Sequence, residues 1–180
     1  MKVIKRITDY DFNIEPVPFN NPRIRYGSRG IIINKEGKVA ILYKSKINVY
    51  KLIGGGLNKD EAPKDAFVRE AREESGATIS NIKCIGQIIE EKSLDNFIQY
   101  SYIYIANVVN EGIPIFTKEE ITDGAKLIWA LPNDAYQLIL NSNEQLKASE
   151  NDGPLSLYHS RFIVKRDAEI LNYYINKIQK

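Results

Sequence analysis

Residues 55–77 read GGLNKDEAPKDAFVREAREESGA, and this stretch limits the fold more than any other part of the chain. Gly55 is followed by Glu61, then after a gap by Arg69 and Glu70, then by Glu73, Glu74 and Gly76. From average residue frequencies, such a set should arise by chance less than roughly once in a million chains. The glycine run Gly54, Gly55 and Gly56 is expected to break a strand and form a tight loop. Pro63 suits a first helical position and Gly76 a C-terminal cap, which predicts a helix over Pro63–Ser75. At helical spacing Glu70, Glu73 and Glu74 fall within an arc of roughly 100°. Ala66 and Ala77 flank that arc. Phe67, Val68 and Ala71 form a neighbouring apolar arc that should pack on a sheet.

Carboxylates crowded beside a core repel one another and lose hydration. A bound divalent cation relieves both penalties. Oxygen ligands of this kind suit Mg2+ or Mn2+, and Mg2+ works through a few carboxylates together with substrate phosphates. A solvated glutamate-rich helix is the plain alternative, with Arg69 and Glu73 as a weak i,i+4 pair. The glycines and Glu61 at fixed spacing argue against it.

The pattern resembles the Nudix box, G-x5-E-x7-R-E-U-x-E-E-x-G-U with U aliphatic, and all fixed positions match. On that resemblance the chain is identified as a member of the Nudix hydrolase superfamily, whose MutT-like members hydrolyse nucleoside diphosphates linked to another group. The resemblance implies an α/β fold, a Nudix-type α/β/α sandwich with a mixed sheet in a single domain over residues 1–180. It implies Glu70, Glu73 and Glu74 as metal ligands and catalytic residues, with the carbonyl of Gly54 as a further ligand and Mg2+ or Mn2+ as cofactor. Arg69 and Glu61 would position the loop and helix. Many relatives have proline where this chain has Ile53, and a capping side chain where it has Ala62. Alanine is a poor N-cap, and Asp65 would compensate in part through the helix dipole.

A net charge of +2 argues against a dedicated nucleic-acid surface. The single cysteine, Cys84, excludes an internal disulfide framework and, within an apolar run, reads as a buried structural thiol. The N-terminal segment lacks an apolar signal core and no run reaches transmembrane length, so the expectation is a cytoplasmic protein without membrane contact. Strands are expected at residues 31–33 and 39–43 around the turn Asn34 to Lys38 as a hairpin, then at 50–53, 79–90, 97–109 and 126–130, with a bulge at Gly86. A helix is expected at residues 134–140, and a terminal helix over about 161–178 with Ile163, Ile170, Tyr174 and Ile178 near one face. Residues 141–160 read as irregular and as the most mobile segment.

A general base often comes from a loop outside the box in such relatives. Glu120, in the segment Thr117 to Gly124, is the first candidate and Glu119 the second; solvated loop acids are the alternative. Arg25, Arg29 and Lys44, with Arg23 and Lys46 nearby, are candidates for phosphate contacts, against surface solvation. Tyr100, Tyr102 and Tyr104 share a strand face and read as core before base-stacking platform. Trp129 reads as structural, and His159, the only histidine, as non-catalytic.

Substrate-specific patterns of several Nudix subgroups are missing. There is no proline about fifteen residues past the box and no tyrosine about seventeen past it. A small nucleotide, by default a nucleoside triphosphate, is the expected substrate, and a homodimer is left open. Two other readings remain: a Nudix-fold nucleotide-binding or regulatory module without catalysis, and an RNA 5′-end pyrophosphohydrolase. The intact acidic set speaks against the first and the weak net charge against the second.

Overall fold

The computed structural model describes residues 1–148, 153 and 155–179. The strands are β1 (Val3–Ile7), β2 (Arg23–Ile33), β3 (Val39–Lys44), β4 (Val49–Gly56), β5 (Thr78–Lys92), β6 (Phe97–Asn110) and β7 (Ala125–Ala130). The helices are α1 (Pro63–Ser75), α2 (Lys118–Thr122), α3 (Pro132–Ser142) and α4 (Ser156–Lys177). One seven-stranded sheet runs in the order β1-β5-β6-β2-β4-β3-β7. The β1–β5 and β2–β6 pairs are parallel and the others antiparallel, so the sheet is mixed.

Consecutive strand residues point to opposite faces, and both faces here are covered. Ile31 and Leu52 enter a core with Ile139 of α3 and Phe162, Ile170 and Leu171 of α4. Their neighbours Ile32 and Ile53 enter a second core with Phe67 and Ala71 of α1 and Tyr104. A strand buried on both sides carries adjacent aliphatics rather than alternation, which is why Gly30 to Ile33 reads GIII. The layers are helix, sheet and helix, an α/β/α sandwich. No helix among the described residues is long and apolar enough to cross a membrane.

Several expectations change. The Asn34–Lys38 turn forms, with the Asn34 amide donating to the Lys38 carbonyl at 3.0 Å. Beyond it β2 and β3 share only the pair Ile33 and Val39, because β4 inserts between them. Strand β2 starts at Arg23, well before Ile31; Arg23 to Tyr26 are all exposed, so no buried face marks them as strand. β1 was not anticipated. Gly54–Gly56 is not a loop but the end of β4, paired with Gly27 to Arg29. Val68 is exposed, off the buried face of α1. Cys84 is exposed, because register shifts on both sides of it, one at the Gly86 bulge, set the outer half of β5 apart from the core. Helix α4 starts at Ser156, and its buried face runs through Phe162, Ile170 and Tyr174 while Ile178 is exposed. Asn143–Gln145 forms a single 3-10 turn. Of the stretch expected to be irregular and mobile, Asn141 and Ser142 belong to α3 and residues 156–160 to α4, while 149–152 and 154 lie outside the described residues.

Candidate active site

Helix α1 carries the acidic residues, and both its ends explain its length. Pro63 opens it, Ala62 supplies no side-chain cap, and Asp65 lies in the first turn. Gly76 closes it in the left-handed region at φ 69°, its amide donating to the Arg72 carbonyl at 2.9 Å. A Cβ there would come within 2.4 Å of the Gly112 backbone, so glycine is required twice over. The glycines of β4 serve close approach instead of a turn. A Cβ on Gly55 would lie 2.3 Å from the Glu70 carboxylate, and one on Gly54 2.3 Å from Arg29. The strand can therefore lie directly against α1.

Across this contact the acids meet cations. Glu74 is 2% exposed. Its Oε2 accepts the Gly54 amide at 2.7 Å, and its Oε1 meets Lys51 Nζ at 2.7 Å. Burial pushes its carboxyl up to about 7, against the opposing pull of Lys51. The same Lys51 ammonium donates to the Gly54 carbonyl at 3.0 Å. Arg69 forms a fork on Glu61, Nε to Oε1 at 2.8 Å and Nη2 to Oε2 at 3.0 Å. It also reaches Glu70 at 2.7 Å, Glu73 at 3.0 Å and the Gly56 carbonyl at 3.0 Å. The bonds to Arg69 hold Glu61 below the usual carboxylate range, and Glu61 also accepts the Asn58 amide at 2.8 Å. Arg69 and Glu61 thus clasp the connecting loop to the helix.

Among the described residues no three acidic, histidine or cysteine side chains already converge on one point as ligands. The donor set nevertheless fits a hard divalent cation. Glu70, Glu73, Glu74 and the Gly54 carbonyl offer oxygen alone, and a positive charge, the Lys51 ammonium, already rests on two of these four groups.

Glu120 arrives from α2. Its Oε2 accepts the Thr117 amide at 2.8 Å and the Thr117 hydroxyl at 3.1 Å, closing a capping box. Its carboxylate also meets Glu74. Burial would raise its pKa, but bonds from Thr117, the proximity of Glu74 and the charge of Lys51 bring it below the usual value. Glu119 and Glu120 line the same cleft as Glu70, Glu73 and Glu74.

Arg25, Arg29 and Lys44 all line an adjoining cavity of about 340 Å³ that shares Lys51, Gly54 and Gly55 with the acidic cleft. Arg23 pairs with Asp95 at 2.9 Å and lies over Phe97. His159 also meets Asp95, at 3.2 Å, on the cavity wall. Tyr104 stacks on Phe67 in the core, whereas Tyr100 and Tyr102 stack on the exposed Tyr26. Trp129 packs against the α1-side core.

Two groups escaped the sequence reading. Lys51 is a lone cation in a strand entering a glycine run, a signal that was visible. The other is a buried cluster under α4. Arg166 meets Asp167 at 2.7 Å and Glu90 at 3.2 Å, Lys92 meets Glu90 at 2.9 Å, and Asp167 accepts the Leu52 amide at 2.8 Å. Its trace in sequence is weaker, an Arg-Asp pair amid the apolar residues of a helix and an i,i+2 Glu and Lys in a strand.

A sequence model of the NUDIX domain matches residues 24–151. No curated protein matches. Among solved structures, the fold is similar to a MutT NUDIX hydrolase from Burkholderia pseudomallei, with 18% identity and a TM-score of 0.51 over 62% of this chain and 85% of that one. It is similar to the ORF135 protein of E. coli, with 17% identity and a TM-score of 0.51 over 91% and 100%. It is also similar to a MutT protein from Methanosarcina mazei Go1, with 19% identity and a TM-score of 0.51 over 88% and 99%. At these identities the likeness shows the fold alone.

Proposed function

The chain belongs to the NUDIX domain family, whose general chemistry is hydrolysis of pyrophosphate bonds, and from that premise we propose a divalent-metal-dependent hydrolase. It cleaves a phosphoanhydride in a nucleoside diphosphate-linked small molecule by attack of water on phosphorus. The observation that carries this reading is the meeting of Glu70, Glu73 and Glu74 with Glu120, a carboxylate from another element, in one cleft beside Gly54.

In this reading Glu70, Glu73, Glu74 and Gly54 hold Mg2+ or Mn2+. The bound ion would neutralise charge on the bridging phosphates and lower the pKa of a water. Arg69 and Glu61 fix the helix against the strand so that the acids keep their places. Glu120 takes the proton from the attacking water. A bond forms from the water oxygen to phosphorus, and the bond from phosphorus to the bridging oxygen breaks. Lys51 and Lys44 offer donors to the phosphate oxygens at the junction of cleft and cavity.

The test is phosphate release with Mg2+ or Mn2+ across nucleoside triphosphates, ADP-ribose, nucleotide sugars, dinucleotides and capped RNA. Metal-dependent turnover of any of these supports the assignment. Failure to turn over all of them would favour a binding module built on the same fold.

A further inference from the structure

Arginine is almost never fully buried without a partner for its charge. Arg29 is 5% exposed, yet among the described residues its one hydrogen bond runs from Nε to Ser101 Oγ at 3.3 Å. Its two terminal nitrogens meet no acceptor. Burial, and then Arg166 nearby, lowers its pKa to about 10 against the pull of Asp167, Glu90 and Glu74, so its charge is held at a cost.

The cavity that Arg29 lines explains the arrangement. Six cationic side chains face it, Arg25, Arg29, Lys44, Lys51, Lys92 and Arg166, against one carboxylate, Glu119. Four of the six have acidic partners. Lys44 meets Asp123 at 2.9 Å, Lys51 meets Glu74 at 2.7 Å, Lys92 meets Glu90 at 2.9 Å and Arg166 meets Asp167 at 2.7 Å. Arg25 and Arg29 form no ion pair among the described residues, although Asp167, Glu90 and Glu74 lie near enough to Arg29 to favour its charge, and Arg25 is also exposed. Two guanidinium forks are thus left open toward one space.

A nucleobase fits this lining less well than a phosphate. A base needs acceptors as well as donors, and against six cations the lining offers few side-chain acceptors, among them Glu119, Gln99 and Ser160. Stacking is also obstructed. Phe97 already has Arg23 at 4.2 Å and Lys92 at 5.3 Å from its ring centre, and the His159 ring is engaged by Asp95 and Tyr158. A group with acceptors alone and about two negative charges matches the lining. A guanidinium fork binds phosphate oxygens in pairs.

We propose that this cavity binds a phosphomonoester carried by the substrate beyond its scissile diphosphate, with Arg29 and Arg25 as the recognising forks. The substrate class is then a diphosphate compound bearing a further phosphate, and any nucleobase lies outside the cavity. This rests on the hydrolase reading of the adjoining cleft.

Calorimetric binding in metal-free buffer tests it without requiring turnover. The probes are two pairs that differ by one phosphomonoester, NADP+ against NAD+ and coenzyme A against dephospho-coenzyme A. Inositol hexakisphosphate serves as a ligand with no base. The phosphorylated member of at least one pair should bind at least roughly tenfold tighter, and the hexakisphosphate should bind with strong salt dependence. Arg29→Gln should cut the pair preference to under about threefold, while Arg161→Gln, at an exposed position outside the cavity, should keep it. If Arg29→Gln does not fold, Arg25→Gln on the exposed fork carries the same comparison. No preference in either pair, or a preference that survives loss of the forks, overturns the proposal. Hydrolysis of the same compounds with Mg2+ is followed separately. Turnover without preference sinks this inference and leaves the hydrolase reading standing, whereas preference in binding without turnover of any compound keeps the phosphomonoester site and overturns its assignment to a substrate of the cleft.

Discussion

The acidic stripe of α1 and the cluster of Glu90, Lys92, Arg166 and Asp167 under α4 both hold ionised groups where water is scarce, but they balance charge in different ways. On α1 the acids are in excess, and the cations that answer them, Lys51 and Arg69, are long side chains at the edge of a cleft. Lys51 is 12% and Arg69 27% exposed by side chain. Such partners can yield when another cation arrives. Under α4 the cations and acids are nearly matched, and none is more than 4% exposed. Those groups have nowhere to move. Asp167 also accepts the amide of Leu52, and two residues later β4 enters the glycine run that meets Glu70 and Glu74. The closed cluster therefore acts as scaffold for the open one.

The sharpest way to break this contrast is to remove a partner from the closed cluster. Arg166→Ala leaves Asp167 and Glu90 buried with less compensation. It should cost about 3–5 kcal/mol of folding stability, as for other broken buried pairs. Urea unfolding measures this, and a loss under about 1 kcal/mol would mean the cluster is solvated in solution. The matching change on α1 should spare stability and remove activity. Glu74→Gln keeps an acceptor for the Gly54 amide and deletes the charge. We expect kcat with Mg2+ to fall on the order of 10³-fold, about 4 kcal/mol of barrier, with a normal unfolding curve. Near-normal turnover at saturating Mg2+ would remove Glu74 from the metal site.

Acid should separate the clusters next. Burial alone would raise the Glu90 carboxyl, but Lys92, Arg166 and Arg29 bring it down to about 2. A folded pKa below the unfolded one contributes stability that is complete above the ordinary carboxylate value. That contribution is lost as pH falls through the folded value. Between about pH 4.5 and pH 2 the protein should lose on the order of 3 kcal/mol through this group. Glu90→Gln should flatten that part of the profile. A wild-type curve that matches the variant from pH 5 to pH 2 would show that the cations do not hold Glu90 ionised.

The two clusters also differ in how far sequence reveals them. The α1 stripe and its clasp are local, Glu61 to Glu74 within one turn, helix and loop, so residue spacing sets their geometry. The helix ends at Pro63 and Gly76 and the strands β5, β6 and β7 were legible for the same reason. The α4 cluster joins positions 76 and 115 residues apart. Nothing in local periodicity brings Glu90 to Arg166 or Asp167 to Leu52. The first stretch of strand β2, Arg23 to Tyr26, alternates Arg with Ile and Tyr but buries neither face, so its pattern does not mark a core-facing strand. Pairing with β6 alone orders it, a tertiary cause, since β4 joins only from Gly27. The glycine run was misread because glycine marks close approach as readily as a turn, and only the position of Glu70 distinguishes the two. Arg25, Arg29 and Lys44 were found as a basic group, but their shared cavity needed the fold.

Glu120 tests the boundary between open cleft and fixed scaffold, because its position supports both roles. It closes the capping box of α2 through Thr117, a structural task, and it meets Glu74 in the acidic cleft, a chemical one. If it takes the proton from the attacking water, Glu120→Gln should lower kcat roughly 100-fold, with the acidic limb of the pH–rate profile shifted or lost. Glutamine keeps the capping oxygen, so unfolding should change by no more than about 1 kcal/mol. Metal affinity should hold, since Glu70, Glu73 and Glu74 remain. A variant with wild-type rate and profile within a few-fold would return Glu120 to the scaffold and leave Glu119, on the same cleft wall, as the next base to test. Glu119→Gln measured alongside decides this, and a Mn2+ titration of each variant shows whether any loss lies in chemistry or in metal binding.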